Sequence, residues 1–149
     1  MKLSELVSNK KRKMNMYEKY VKRGIDFILS LTALTVLSPL LILLTIIGAI
    51  AMGGNPFFVQ KRPGKKDKNG KEAIFSLIKF RTMNNKKDKN GKLLPDEVRL
   101  TKYGRFLRST SLDELPELLN ILNGSLAIIG PRPLLTSYLQ RYSTEQRRR

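Results

Sequence analysis

The sequence predicts an α+β chain that is mostly helical. An N-terminal re-entrant membrane segment (helix-break-helix) leads into a small cytoplasmic domain with a short β-hairpin. Three observations carry this reading. No Asp, Glu, Lys or Arg occurs from Phe27 to Gln60, a run of 34 in a chain of 149 residues. Two short β-like runs separated by a charged turn follow the block. Beyond them, apolar residues recur at helical spacing between clear stop signals.

Residues 1–16 are polar, with a basic run from Lys10 to Lys13. They read as a basic tail, solvated or lying on anionic lipid. Residues 17–54 form the membrane segment. About 20 apolar residues suffice to cross a bilayer core, and Phe27 to Met52 is longer than that. The block is apolar all round, unlike a surface helix with one polar face. A buried helix of a soluble core is the weaker alternative, because the rest of the chain is too polar to enclose it.

Ser38-Pro39 interrupts the block. Proline removes a backbone donor and strains the preceding turn, and Ser38 is a local partner for the group left over. Both flanks are basic: Lys19, Lys22 and Arg23 on one side, Lys61, Arg62, Lys65 and Lys66 on the other. Basic flanks favour the cytoplasmic side, so a segment that dips in and returns suits both. A kinked single-pass helix is the alternative.

Residues 55–149 form the cytoplasmic domain. Gly53-Gly54-Asn55-Pro56 marks a loop, and Pro56 to Lys61 and Ala73 to Phe80 read as the strands of a hairpin. Its turn, Lys65 to Lys71, and a second basic loop, Asn84 to Lys92, share the string KKDKNGK, taken as loop composition. Val98 to Ser109 has helical spacing, weakened by Gly104. Another helix starts at Thr110–Glu114, where Ser111 and Glu114 fit a capping box. Leu115, Leu118, Leu119 and Leu122 give it an apolar face, and Asn123-Gly124 ends it. A last helix begins near Leu134.

The composition narrows the chemistry. There are 29 Lys+Arg against 12 Asp+Glu, a net charge of +17, with no Cys and no His. Thiolate chemistry, imidazole bases and nearly every zinc site are excluded. The basic excess is split, +5 over residues 1–26 and +12 over residues 61–149, which suits a polyanionic partner. Nucleic acid is disfavoured: Trp is absent and the basic loops lack interleaved aromatics.

The pair that could carry chemistry is Asp113-Glu114. At a helix's first turn an Asp is favoured in its ionised form, could attack phosphorus, and could share magnesium with its neighbour. The plainer reading is a helix cap. Lys79, Arg81, Arg99, Arg105, Arg108 and Arg132 are candidate phosphate ligands. Arg132 is stiffened between two prolines. Phe80, Leu107 and Ile129 suggest packed positions beside them.

Taken together, Lys79 to Met83, Arg99 to Thr101, Gly104 to Arg108, Ser109 to Asn120 and Gly130 to Leu135 resemble the bacterial sugar transferase family. Its small monotopic phosphoglycosyl transferases start lipid-linked glycan and exopolysaccharide assembly. The likeness runs from about Tyr17 to Arg149. It implies transfer of a phospho-sugar from a UDP-sugar to polyprenyl (undecaprenyl) phosphate, with release of UMP, at the cytoplasmic face of the bacterial inner membrane. It implies Asp113 as nucleophile, Glu114 with Asp113 on Mg2+, and Lys79, Arg81, Arg108 and Arg132 on substrate phosphates. The family's re-entrant break falls at a Ser-Pro pair, here Ser38-Pro39. Two departures stand out: Ser125-Leu126-Ala127 replaces an Asp-Met-Ser-like stretch, and a C-terminal Pro-Gly segment is missing after Arg149. The chain is thus expected to be C-terminally truncated. The alternative function is a catalytically impaired membrane-bound fragment that only binds.

Overall fold

A computed structural model describes residues 20–66 and 72–130. The basic tail, the hairpin turn, Arg132 and the expected last helix lie outside the described residues in whole or in part. In chain order the elements are α1 (Lys22–Met52), β1 (Phe57–Lys66), β2 (Glu72–Phe80), α2 (Asp96–Arg99), α3 (Lys102–Thr110), a 3-10 turn (Leu112–Glu114) and α4 (Glu117–Asn123).

α1 is one helix of 31 residues, with Pro39 inside it. At about 1.5 Å per residue it is roughly 46 Å long, and it is long and apolar enough to cross a membrane. The expected break at Ser38-Pro39 is therefore not an interruption of the helix. Proline deletes one donor, the bond to the carbonyl four residues back. That carbonyl belongs to Thr35, and it accepts the Ser38 hydroxyl at 2.8 Å. Other hydroxyls of α1 also turn inward: Thr35 donates to the Leu31 carbonyl and Thr45 to that of Leu41. This hides polar atoms from an apolar surround. Gly53 closes the helix in the left-handed region at φ 62°.

One stripe of α1 faces the rest of the chain. Asp26, Ser30, Leu44 and Gly48 are buried, while Ile28, Val36, Ile42, Ile46 and Ile50 on the other faces are exposed. The spacing of three to four residues is that of a helix edge. Near its start, Arg23 reaches the end of α4, donating to the Ile121 carbonyl at 2.6 Å and to that of Leu122. Near its end, the Leu44 carbonyl accepts the Tyr103 hydroxyl at 2.7 Å.

The hairpin forms as expected and is longer than expected. β1 and β2 pair antiparallel, with Phe57 opposite Phe80 and Gln60 opposite Leu77, and the register shifts between Pro63 and Lys66. Proline cannot donate to a ladder, so it sits where the pairing is irregular. The rings of Phe57 and Phe80 stack, centroids 5.4 Å apart. The core is Leu44, Phe80 and Leu107, lined by Leu40, Leu41, Phe57, Tyr103, Leu112 and Leu115. One membrane-type helix, one strand and one helix of the domain thus share a single core.

The helical run expected from Val98 to Ser109 is split. α2 stops at Arg99, Leu100 is extended, and Thr101 caps α3 by accepting from the Gly104 N–H at 2.9 Å. The break lets residues 99–101 pair with residues 82–84: Met83 bridges Leu100, and the Asn84 N–H donates to the Arg99 carbonyl. Gly104 fits where no side chain would, because a Cβ there would lie 1.9 Å from the Thr82 carbonyl oxygen.

The second helix also departs from expectation. Thr110 ends α3, Ser111 is left-handed at φ 57°, and its side chain caps nothing. The capping box does not form, since Glu114 is held elsewhere. α4 begins only at Glu117, after Pro116, whose fixed φ suits a helix start. That later start rotates the buried face onto Asn120 and Ile121, leaving Leu119 exposed. Ile129 is likewise exposed, at 77 %, rather than packed.

Candidate active site

The site assembles where β2 ends and α4 begins. Lys79 is the penultimate residue of β2 and points opposite to buried Phe80, as strand alternation requires. Its ammonium lies 2.8 Å from Glu114 Oε1 and 2.9 Å from Glu117 Oε1. Glu114 closes the 3-10 turn and Glu117 opens α4, so the two carboxylates sit either side of Pro116. Lys79, expected on a substrate phosphate, spends its charge here on two acids.

Asp113 sits in the middle of the 3-10 turn, half-buried. Burial raises its carboxyl above the usual aspartate value; Lys79 opposes that shift, Glu114 adds to it, and Arg108 also opposes it. The expected stabilisation of its anion by a helix's first turn gives way because a three-residue turn has little dipole. Lys79 is its main electrostatic support, followed by a backbone hydrogen bond and then Arg108. Burial alone would lower the Lys79 ammonium, but its bonds to Glu114 and Glu117 leave it raised above the ordinary lysine value.

Arg108 enters from α3. Its Nε donates to Thr82 Oγ1 at 3.1 Å. Thr82 is buried, and its carbonyl accepts the Thr101 N–H at 3.2 Å. Gly104 lets α3 lie this close to residue 82, so the glycine that weakens the helix is what delivers Arg108. Arg81 continues the hairpin, its N–H donating to the Pro56 carbonyl at 2.7 Å, and its side chain is half-buried.

The structure therefore gathers Lys79, Arg108, Asp113 and Glu114. It sets two candidates apart: Arg99 bonds the Asn84 carbonyl and Asp96, and Arg105 is exposed on α3. Arg132 lies outside the described residues. Glu117 and Thr82 were not singled out by sequence reasoning. Glu117 stands four residues after Asp113, a spacing that puts two side chains on one helix face; the intervening proline obscures it.

Among the described residues no three acidic side chains form a protein-only metal cage. Asp113 and Glu114 offer oxygen donors alone, the donor type a hard divalent cation takes.

The family described as bacterial sugar transferase matches residues 17–149 by its sequence model. Among similar proteins, one described as an uncharacterized sugar transferase, EpsL, of Bacillus subtilis (strain 168) is 45% identical over 129 residues, covering 87% of this chain and 61% of that protein. The UDP-glucose:undecaprenyl-phosphate glucose-1-phosphate transferase of Xanthomonas campestris pv. campestris is 36% identical, covering 78% of this chain and 26% of its own length. The undecaprenyl-phosphate galactose phosphotransferase of Salmonella typhimurium is 34% identical, over 83% of this chain and 28% of its own. The chain thus spans about six-tenths of the first relative and under a third of the other two.

Proposed function

The chain belongs to the bacterial sugar transferase family, and from that premise we propose that it takes part in moving a sugar phosphate from a UDP-sugar to undecaprenyl phosphate. The observation that carries this reading is Asp113 set beside Lys79, Glu114 and Arg108. A half-buried carboxylate flanked by two cations suits attack on a phosphorus that bears negative oxygens.

In the proposed chemistry an Asp113 carboxylate oxygen attacks the phosphorus joined to the sugar. The bond from that phosphorus to the bridging oxygen breaks, and UMP leaves with the electron pair. A phosphate oxygen of the polyprenyl phosphate then displaces Asp113, which regains its carboxylate. Arg108 holds phosphate oxygens, and Lys79 keeps the acidic cluster from repelling the donor. Glu114 and Asp113 would hold Mg2+, which when bound supplies charge neutralisation for the diphosphate.

We place the site at the cytoplasmic face of the inner membrane, with α1 entering and leaving on that face. The basic flanks support this. So does the contact of α1 with the domain at both ends. Arg23 and Leu44 are 21 residues apart, roughly 32 Å along a helix, yet both bond the same small domain. A perpendicular crossing would drag that domain through the bilayer. Ser38-Pro39 is the point where a bend costs α1 no further backbone bond.

The test is UMP release from UDP-sugars in undecaprenyl-phosphate vesicles carrying the chain and Mg2+. Asp113→Asn is expected to abolish release and to abolish acid-labile labelling of the protein by the sugar phosphate. Release at the wild-type rate by Asp113→Asn overturns the mechanism.

A further inference from the structure

The proposed chemistry leaves Asn120 without a role, although it is among the fully buried polar side chains. Asn120, on α4, is 1% exposed. Its Oδ1 accepts the Ile78 N–H at 3.0 Å, and its Nδ2 donates to the Ser76 carbonyl at 2.8 Å. The same Nδ2 also donates to Ser125 Oγ at 3.1 Å. The carbonyl of residue 76 and the N–H of residue 78 face one edge of β2, as in any strand. The amide therefore docks on β2 as a single peptide group of a third strand would.

The places it joins matter. Ile78 directly precedes Lys79, and Glu117 lies one turn before Asn120 on α4. Lys79 and Glu117 form the 2.9 Å ion pair of the site. An ion pair between two long side chains fixes separation poorly, because each has rotamers to spare and solvent competes. A buried amide has no such latitude: displaced from its partners it leaves donor and acceptor unsatisfied, which is strongly disfavoured. A slip of β2 by one residue against α4 would present the wrong groups to both ends of the amide.

We propose that Asn120 is the positioning residue for Lys79, bolting β2 to α4 in the one register where the ammonium reaches both Glu114 and Glu117. Ser125 completes the bolt. Its hydroxyl donates to the Asn120 carbonyl at 3.2 Å and lies 2.7 Å from Asn123 Oδ1. Ser125 thus serves as a neutral partner for the amide. The consequence for turnover rests on the function proposed above; the positioning itself does not.

The test reads Lys79 directly. The whole chain, in detergent or vesicles, is reductively methylated with formaldehyde and a mild hydride donor, and labelling at each lysine is followed by peptide mass spectrometry. Exposed Lys86 serves as internal reference. In the wild type Lys79 labels slowly, and Glu114→Gln with Glu117→Gln releases it. Asn120→Ala is expected to raise labelling of Lys79 relative to Lys86 about tenfold, the scale of one lost buried hydrogen bond. Ser125→Ala, which keeps both bonds to β2, should raise it by a smaller factor and guards against a variant that fails to fold. An unchanged ratio in both variants overturns the proposal. A uniform rise at every lysine in both variants also overturns it, since that is loosening without positioning. UMP release plays no part in this readout, so failure of the transferase reading and failure of the bolt are told apart.

Discussion

The hydroxyl of Ser38 donates to the carbonyl of Thr35 at 2.8 Å, the acceptor that Pro39 leaves without its backbone partner. The residue beside the proline repairs the defect the proline makes. Ser38→Ala should therefore destabilise α1 by about 0.5–1.5 kcal/mol, the net worth of one hydrogen bond. In a Pro39→Ala background, where a backbone N–H returns, the same change should be nearly neutral. Thermal unfolding of the four variants in one detergent checks this cycle.

Arg23 closes the far end of α4. Its guanidinium bonds the Ile121 and Leu122 carbonyls and lies against Gly124, where a Cβ would meet it at 3.1 Å. These carbonyls lie in the last turn of α4, where the Ile121 carbonyl also accepts the Gly124 N–H at 3.1 Å. Arg23→Ala should cost roughly 1.5–3 kcal/mol, as for hydrogen bonds to a charged group, and should speed amide exchange in α4 before other elements. Arg23→Lys should recover part of the loss, with one donor centre in place of a fork.

Gly104→Ala should be among the most damaging conservative changes. The added methyl would sit 1.9 Å from the Thr82 carbonyl oxygen, so α3 must move off residue 82 and take Arg108 with it. A loss of more than about 2 kcal/mol is expected, typical of overpacking against backbone. Denaturant titration gives the stability.

Tyr103 supplies a pH dependence. Burial raises its phenol above the ordinary value, and its hydroxyl donates to the Leu44 carbonyl at 2.7 Å. The folded state thus holds this proton more tightly than the unfolded state does. Its contribution is complete below the unfolded value of about 10 and is lost as pH rises through the higher folded value. The wild type should lose stability relative to Tyr103→Phe only in strongly alkaline buffer. At neutral pH the variant should be weaker by about 1 kcal/mol. Unfolding midpoints of both proteins across pH test the sign.

Much of this architecture is legible in the residues themselves. The long helix is written in the absence of charge from Phe27 to Gln60, and the hairpin in its β-like runs and turn signals. Asp113-Glu114, Lys79 and Arg108 lie together, though the pairing of Lys79 with two acids is not written in their motifs. What is hidden is register. Nothing local to Ser111 reveals a left-handed backbone, and Ser-x-x-Glu spells a cap equally well when the Glu is drawn away by a lysine 35 residues earlier. Asn120 is invisible for the same reason: an Asn amid leucines looks like a defect in an apolar face until β2 is seen to need its amide. Gly104 reads as a helix weakener because the Thr82 backbone it accommodates is distant in sequence.

Leu44 shares its core with Phe80 and Leu107, and this makes α1 part of the fold itself. A chain cut after Gly53 would expose the faces of Phe80, Leu107 and Tyr103 that α1 covers, and so would not yield a well-behaved soluble domain. The apolar helix is half of the scaffold rather than a tether to it. The strand and helix that carry Phe80 and Leu107 are thus expected to reach their native packing only with that helix beside them.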